Sequence, residues 1–517
     1  MNKTLNTLGL DLKARLVNAK NAEEEKKEGD LINVANVGSI VAFAYEQLRN
    51  SAEYTQEHLL RQRAIRRFLL RNVSLRTNQK IEKSLAEEII IELTQAGYIE
   101  NNTVPRSSLS KISQSLVKHY DNYWRMKPHT LKANAEEWTF DLMSVEIEAI
   151  IADDKKLQIY QFFAYQHYKK VIDEKKYRHV GEKQNFDVSL YIAVHKTLLK
   201  SDLPTIRYDL QQLYQFPDND IQAYIHFHEN ITQSFSSDLT NQLSRLIDRH
   251  GAPLRIFRSM IEDRDGLPVL LEKSGQFISA YEAKTSEEYK RAGKRLNKAL
   301  IKSIIFLLIT KSLLGLFVEI PYDLAVTGSI IVIPLVINLL APVVYLLIQR
   351  ITIKLPSSRN TDAVVNYIEN ALYEEEPNKL SSKNHSKKYN IGFSIFYALT
   401  FIIAFGIVLS RLIALDFNVV QIILFVIFFA TASFLGFRLS GIIRELELVT
   451  ANSGPIQLIR DFLYMPFIVL GRWLSEGYKK VNIVALILDT AIELPLKTVL
   501  RLVRQWTKFL DDKKDEL

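Results

Sequence analysis

The chain has 517 residues with 66 Lys and Arg against 58 Asp and Glu, no cysteine, and only 18 Gly and 14 Pro. That share of Gly and Pro is about half of the roughly 12% in an average protein, which favours helices over turn-rich β architectures. Without cysteine the chain has no disulfide, thiolate metal site, iron–sulfur cluster or cysteine nucleophile. We therefore predict an all-α fold.

The charges separate the chain into two unlike parts, although the mean hydropathy of −0.02 is that of an ordinary soluble protein. Residues 1–300 carry 44 basic and 40 acidic residues, whereas residues 301–517 carry 22 and 18, most of them between long apolar runs. We expect a large N-terminal cytosolic helical domain, then a four-helix transmembrane module, and then interfacial amphipathic helices at the C-terminal end.

The first 36 residues include the charged run NAEEEKKEGD and lack apolar periodicity, so we expect residues 1–36 to form a mobile lead-in. The first forty residues also lack the apolar segment of a secretory signal. Insertion into a membrane should therefore start at the first true span.

Residues 37–284 repeat apolar side chains every three or four positions, which predicts a cytosolic α-helical domain. We predict its helices at about 43–70, 78–98, 108–126, 136–152, 156–175, 185–200, 205–215, 219–249 and 253–263. Turn-prone segments such as Phe216-Pro217-Asp218 separate them. This length can bury one large core or two smaller ones.

Thr285 and Glu288 have the spacing of a capping box, which predicts the start of a helix that runs into the first span. Six basic residues recur along one side of this helix: Lys290, Arg291, Lys294, Arg295, Lys298 and Lys302. Near an anionic leaflet, each of these residues contributes about 1 kcal/mol to the free energy of membrane binding. They act either as a topology signal or as a lipid-facing basic stripe that binds anionic head groups.

Four stretches have the roughly 20 apolar residues that a helix needs to cross a bilayer core of about 30 Å. They are residues 301–318, 325–348, 391–410 and 419–437, within a transmembrane module at 285–440. Pro334 and Pro342 interrupt the second stretch, where neighbouring helices can satisfy the carbonyls that prolines free. Buried helices of a soluble core are the alternative, but four such lengths in succession are hard to enclose.

Polar residues within the spans are the best candidates for function. Lys311 lies midway along the first span, where a lone ammonium in lipid costs several kcal/mol. Glu319 follows eight residues later, about 12 Å further along the helix, and Asp323 lies in the predicted link to the second span. Asn338 in the second span offers a polar partner. These four residues form either a clamp between spans or part of an ion or proton pathway; Lys311 could also reach an interface.

Basic residues fill the link between spans two and three, whereas the link between spans one and two has none. Because Lys and Arg stay on the cytoplasmic side, we predict a multi-pass protein with both termini in the cytoplasm. The final four residues, KDEL, act as an endoplasmic-reticulum address only in the lumen, and this topology leaves them in the cytosol.

Residues 441–517 stay apolar but change character. The run 462–470 contains Pro466 and is short for a span, which indicates an interfacial or re-entrant segment. Residues 481–510 place charges from Asp489 to Lys508 along one helical edge, which predicts an amphipathic helix in the membrane interface, followed by a charged tail. A fifth span through 481–510 is the alternative.

The sequence contains no phosphate-binding loop, GxGxxG, GxSxG or HExxH motif. His226 and His228 lie two residues apart on a predicted helix, where they point about 200° from each other and cannot share a metal. We expect no metal and no cofactor, we assign no catalytic residue, and an enzymatic function has no positive support.

Three stretches resemble segments of uncharacterised multi-pass membrane proteins of small-genome bacteria. They are YEQLRNSAEYTQEHLLRQRAIRRFLLR at 45–71, TKSLLGLFVEIPYDL at 310–324 and LYMPFIVLGRWLSEGYKKVNIVALILDTAIELPLK at 463–497. The resemblance implies a bacterial plasma (inner) membrane location and transfers no activity.

Two classes of function follow. A membrane-anchored scaffold would recruit a protein partner through its helical cytosolic domain, and the size of that domain favours this class. A transporter or channel subunit, alone or as a homo-oligomer, would use a polar path near Lys311. Acids and bases nearly balance over the first 300 residues, which argues against nucleic acid as a partner. The membrane partners expected are anionic lipid head groups.

Overall fold

A computed structural model describes residues 3–26, 30–34, 43, 46, 57–76, 81–82, 84–152, 154–177, 185–215, 220–264, 266–376, 378–380, 391–449 and 455–480. The fold is all-α, as predicted, because these residues form helices and two isolated β-bridges but no strand. The helices before the membrane are α1 (Thr7–Lys26), α2 (Glu57–Asn72), α3 (Leu85–Gln95), α4 (Ser107–Met126), α5 (Lys132–Ala152), α6 (Lys155–Val171), α7 (Phe186–Val194), α8 (Leu203–Leu213), α9 (Ile221–Phe235), α10 (Asp238–His250), α11 (Ala252–Asp263) and α12 (Leu267–Leu271).

These helices pack around two hydrophobic cores. The first core is centred on α2–α5, where Ile65 and Leu116 are fully buried. The second contains α1 and α6–α12, with Phe163, Phe257 and Phe277 at its centre. The single helix predicted over 219–249 is two helices, because Ser237 accepts a hydrogen bond from the backbone of Thr240 and starts α10.

Residues 7–26 are not the mobile lead-in that the charged run suggested. Leu8, Leu12, Leu16 and Ala19 line one face of α1 and are buried in the second core, where α1 packs against α6 and α12. The charged run lies at the end of this segment, and the apolar residues recur before it with helical spacing. The prediction is therefore wrong for α1.

Replacing Leu12 with alanine should lower the free energy of unfolding by about 3 kcal/mol, because the change opens a cavity in a core. Leu12 is 1% exposed, whereas Leu10 on the opposite side of the same helix is 53% exposed. Thermal unfolding of the purified full-length protein in detergent measures the difference. Equal losses for Leu12→Ala and for the control Leu10→Ala would contradict the packing of α1.

The next helix, α13 (Ser274–Leu314), connects the second core to the membrane without a break. Thr285 lies within it, and its hydroxyl donates to the carbonyl of Tyr281. The predicted capping box is therefore wrong, since a mid-helix threonine satisfies its hydroxyl against the preceding turn. Leu296 and Leu300 are buried in the second core, so a domain boundary at 284/285 cuts through that core.

Among the described residues, four helices are long and apolar enough to cross a membrane: Ser274–Val326, Val332–Thr352, Ile395–Ala414 and Val419–Arg444. The first comprises α13, a short π turn and α14 (Ile320–Thr327); the others are α15 (Val332–Thr352), α17 (Ile391–Ala414) and α18 (Val419–Arg444). The predicted link at 319–327 is helical, and the chain turns instead at 328–331, where Gly328 adopts a φ of 70°. The second span therefore begins at Val332 and not at residue 325.

The link between α15 and α17 contains α16 (Ser358–Tyr373), which the sequence pattern did not reveal. This helix packs against α11 and α13. Its Asn360 side chain donates to the Tyr289 hydroxyl and to the carbonyl of Leu446. The N-terminal helices, this link and the segment after α18 thus lie on the same side of the four spans, as an even number of crossings requires.

After α18, helix α19 (Pro455–Lys480) packs against α17 and α18. The Phe467 ring lies 4.8 Å from the ring of Phe405 and 5.0 Å from that of Phe429. Gly471 lies so close to Ala430 that a β-carbon would overlap the Ala430 carbonyl. Because these contacts lie near the middle of α17 and α18, the described part of this segment packs along the membrane helices, which fits the re-entrant alternative and not the interfacial one. The predicted helix at 481–510 and the charged tail lie outside the described residues.

Candidate functional site in the membrane helices

A π turn at Gly315–Glu319 brings Lys311 and Glu319 onto one face of the first membrane helix. In a regular α-helix, side chains eight residues apart point about 80° away from each other. One extra residue in the turn reduces that offset to about 20°. Pro321 favours the π turn, because it has no N–H and its ring clashes with the carbonyl one α-turn earlier.

Lys311 and Glu319 form an ion pair whose side chains are only 3% and 1% exposed. Asn338 of α15 donates from Nδ2 to Glu319 Oε1 at 3.2 Å and to the backbone carbonyl of Gln421 in α18 at 3.1 Å. The Lys311 ammonium also lies 5.0 Å from the ring centroid of Phe428, within reach of a cation–π interaction. Polar contacts thus connect the first, second and fourth spans.

Asp323 is fully buried and joins the N-terminal ends of two membrane helices. Its carboxylate accepts hydrogen bonds from Asn418 Nδ2 at 2.5 Å and from Gln421 Nε2 at 3.0 Å. The backbone N–H of Ile331, which precedes α15, donates to it at 3.5 Å. Asn418 and Gln421 are themselves the capping box of α18. A carboxylate suits this place, because helix N-termini attract negative charge.

We call this cluster the polar clamp and define it as Lys311, Glu319, Asp323, Asn338, Asn418 and Gln421. The structure brings together all four polar residues singled out in the sequence. Sequence reasoning missed Asn418 and Gln421, although the Asn-x-x-Gln spacing at the start of the fourth span is a capping signal. In formal charge the polar clamp holds one cation and two carboxylates. The described residues contain no group of three or more His, Cys, Asp or Glu placed to hold a metal.

The basic stripe lies on the exposed side of α13. Its members Lys290, Arg291, Lys294, Arg295, Lys298 and Lys302 are all exposed. Arg291 forms ion pairs with Glu287, Glu288 and Asp263, so part of its charge is compensated within the protein. Within the described part of the chain, no ion pair involves the other five.

A second buried pair of titratable groups lies in the N-terminal helices. His195 starts a π turn at the end of α7, and its Nδ1 lies 3.5 Å from Asp209 Oδ2 in α8. Burial lowers the pKa of His195 to about 3. Burial, with a contribution from the charge of Glu148, raises the pKa of Asp209 to about 7. The pair is therefore neutral in mild acid and gains one negative charge near neutral pH.

Asp209→Asn should make the protein more stable than the wild type by an amount that grows between pH 5 and pH 8. The folded-state pKa of Asp209 lies above the usual value of 3.8, so the folded state binds the proton more tightly and stability falls as pH rises towards 7. Asparagine removes that loss. Because the Asp209 side chain keeps 20% of its surface exposed, we expect the advantage to grow by roughly 2 kcal/mol. Thermal unfolding across this pH range measures it, and an advantage independent of pH would contradict the prediction.

The neighbouring histidines His226 and His228 share no site. His228 is buried, with its ring 5.4 Å from that of Trp138, whereas His226 is exposed. This arrangement follows from their positions two residues apart on α9, which put them on different faces.

The four apolar helices define the chain as a membrane-embedded, multi-pass helical protein. Comparisons with protein-family models, with curated proteins and with solved structures find no match. The geometry of the chain itself is therefore what bears on its function.

Proposed function

We propose that the protein is a membrane-anchored scaffold whose N-terminal helices recruit a protein partner at the membrane surface. One observation carries the proposal: the second hydrophobic core continues from the N-terminal helices into Tyr345, Phe428 and Ala432 of the membrane helices. The polar clamp lies within the same helical bundle, and its central residues are buried. The spans therefore hold the N-terminal helices in a fixed orientation, as an anchor does.

In this proposal the N-terminal helices lie in the cytoplasm, both termini are cytoplasmic, and the membrane is a bacterial plasma membrane. Support comes from the basic residues at the membrane ends of the helices, on the side that carries the N-terminal helices and the α16 link. Five residues of the basic stripe have no acidic partner in the described part of the chain. Their positive charges suit anionic lipid head groups, and each contributes about 1 kcal/mol of binding free energy.

An exposed apolar surface on α1 and α12 is the best-supported site for the partner. We call it the α1 patch and define it as Leu10, Val17 and Val269, which are all exposed. Leu10, Lys13 and Val17 share one face of α1. Lys13 pairs with Glu272 directly after α12, so that face meets the short helix bearing Val269. Apolar side chains around an ion pair suit a protein partner better than a lipid surface.

Site-specific photo-crosslinking in cells tests this function with the full-length protein. A photoreactive residue at position 10, 17 or 269 should give the same discrete protein adduct. Leu131 is the matched control, because it is an equally apolar exposed residue located between α4 and α5. Identical adducts from position 131, or none from the α1 patch, would refute the scaffold proposal.

The alternative function is a transporter or channel subunit with a polar path near Lys311. It is favoured by one observation, namely that hydrogen bonds run from Lys311 through Glu319 and Asn338 to the backbone carbonyl of Gln421. The Gln421 side chain in turn binds Asp323, which also accepts from Asn418 at the end of the bundle. Solute or ion flux in proteoliposomes distinguishes the two functions. A robust wild-type flux that Lys311→Leu abolishes would overturn the scaffold, whereas absence of flux with normal crosslinking would support it.

A further inference from the structure

The six residues of the basic stripe divide between two faces of α13. One face carries four of them, spaced three or four residues apart: Arg291, Arg295, Lys298 and Lys302. Lys290 and Lys294 lie on the other face, which is turned from the first by roughly 90°. Asn297 follows Lys294 by three residues, so it continues this second face towards the membrane.

The end of the second span meets this second face of α13 through a hydrogen bond. Arg350 is in the last turn of α15, and its Nε donates to Asn297 Oδ1 at 2.6 Å. Its Nη1 donates to the carbonyl of Ile353 at 3.3 Å. A guanidinium has more N–H groups than these two acceptors use, and its planar fork matches the oxygens of a phosphate. Within the described residues Arg350 has these two acceptors, so it is held in place with N–H groups left for an anion.

Two lysines belong to the same junction of α13 and α15. The chain after α15 passes α13 at Gly293, where Leu355 Cδ2 lies 3.4 Å from the position of a β-carbon. This contact places Lys354, which precedes Leu355, near Lys294, which follows Gly293. Both lysines are exposed, and no ion pair in the described part of the chain involves either of them or Arg350. A group of cations without acidic partners attracts an anion.

The two helix faces continue into the membrane as exposed apolar surfaces. Ile301 and Ile305 follow Asn297 by four and eight residues, and Leu347 precedes Arg350 by three. They therefore lie on the same faces, one or two turns deeper in the bilayer. They are 57%, 51% and 47% exposed. Cations above a pair of apolar helix faces match a molecule with an anionic head group and acyl chains, whereas a free phosphate would use the cations alone.

We propose that the junction of α13 and α15 binds one anionic glycerophospholipid, with its phosphate on Arg350, Lys294 and Lys354 and its acyl chains along the apolar faces below. The proposal deepens the anchoring part of the proposed function and rests on it. It assigns the lipid to this junction and not to the whole basic stripe. Photo-crosslinking at the α1 patch tests the recruitment of a partner separately, so either proposal can fail without the other.

Titration of the purified full-length protein with phosphatidylglycerol in detergent, followed by native mass spectrometry, tests the site. We expect the wild type to bind one phosphatidylglycerol in preference to phosphatidylcholine. Lys294→Gln combined with Arg350→Gln should weaken that binding by about thirtyfold, because two cations are removed from the phosphate. Arg295→Gln combined with Lys298→Gln is the matched control, since it removes the same charge from the other face of α13, and it should leave the affinity unchanged.

A second variant keeps the test independent of how Arg350→Gln folds. Lys294→Gln combined with Lys354→Gln changes only exposed side chains and should weaken binding to a similar extent. Equal losses in the site variants and in the control would overturn the proposal, because binding would then follow net charge. Equal affinity for phosphatidylcholine would overturn it as well. Displacement of phosphatidylglycerol by inorganic phosphate would show a site for free phosphate and not for a lipid.

Discussion

Replacing Asp323 with alanine is expected to lower the free energy of unfolding by about 4 kcal/mol, because one buried and two partly buried donors lose their acceptor at about 1–3 kcal/mol each. The donors are the side chains of Asn418 and Gln421 and the backbone N–H of Ile331. The N-terminal ends of α15 and α18 would then lack their shared counter-charge. Thermal or denaturant unfolding in detergent micelles measures the loss.

Asp323→Asn is the matched control for this prediction. Asparagine keeps one carbonyl oxygen that can accept from Gln421 and Asn418, so the loss should be at most half of that for alanine. Wild-type stability of Asp323→Ala would show that the polar clamp does not hold the spans together.

Replacing Asn360 with alanine should lower the free energy of unfolding by about 4 kcal/mol, because it removes the four hydrogen bonds of a buried side chain at about 1 kcal/mol each. The amide nitrogen donates to the Tyr289 hydroxyl and the Leu446 carbonyl, and the amide oxygen accepts from the backbone N–H groups of Leu448 and Val449. One side chain thus ties α13, α16 and the segment after α18 to each other.

Asn366 is the matched control, since it is an exposed asparagine on the same helix. Asn366→Ala should change unfolding by less than about 0.5 kcal/mol, as surface substitutions do. Similar losses for the two variants would contradict the account in which the link between the second and third spans is fixed to the N-terminal helices.

The approximate positions of the four spans could be predicted because a run of about 20 mostly apolar residues is rare outside membrane helices. The end of the first span could not be predicted, because Ile320–Thr327 contains Pro321 and Asp323, which are typical of a loop. Within the structure, proline occupies a first-turn position and the acid is buried against two other helices, so neither breaks the helix. Tertiary contacts thus decide this boundary.

The polar clamp was partly visible in the sequence. Lys311, Glu319, Asp323 and Asn338 stand out because charges and amides are costly in a span. Gln421 does not stand out, because its partner Asp323 lies 98 residues away in the chain. The π turn that aligns Lys311 with Glu319 was also missed, although Pro321 directly after it is a local signal.

Two helices outside the membrane could not be predicted from the sequence. The spacing of apolar residues revealed most of the N-terminal helices, but the charged residues at the end of α1 obscured that helix. The basic residues in the link between the second and third spans obscured α16 in the same way. Both helices are amphipathic segments whose apolar faces are buried only by distant parts of the chain. The sequence of such a helix alone does not show that its apolar face is buried, because the part of the chain that packs on that face is distant.

We propose that the N-terminal helices and the α16 link share the cytoplasmic side of a four-span bundle, and cysteine labelling tests this proposal most directly. Because the chain has no cysteine, single cysteines report their own accessibility without background. We place them at the exposed positions Leu131, Ile330, Arg359 and Leu415 and treat intact cells with a membrane-impermeant maleimide. Ile330→Cys and Leu415→Cys should react in intact cells, and Leu131→Cys and Arg359→Cys only after permeabilisation. Reaction of Arg359→Cys in intact cells, or protection of Ile330→Cys, would contradict the account.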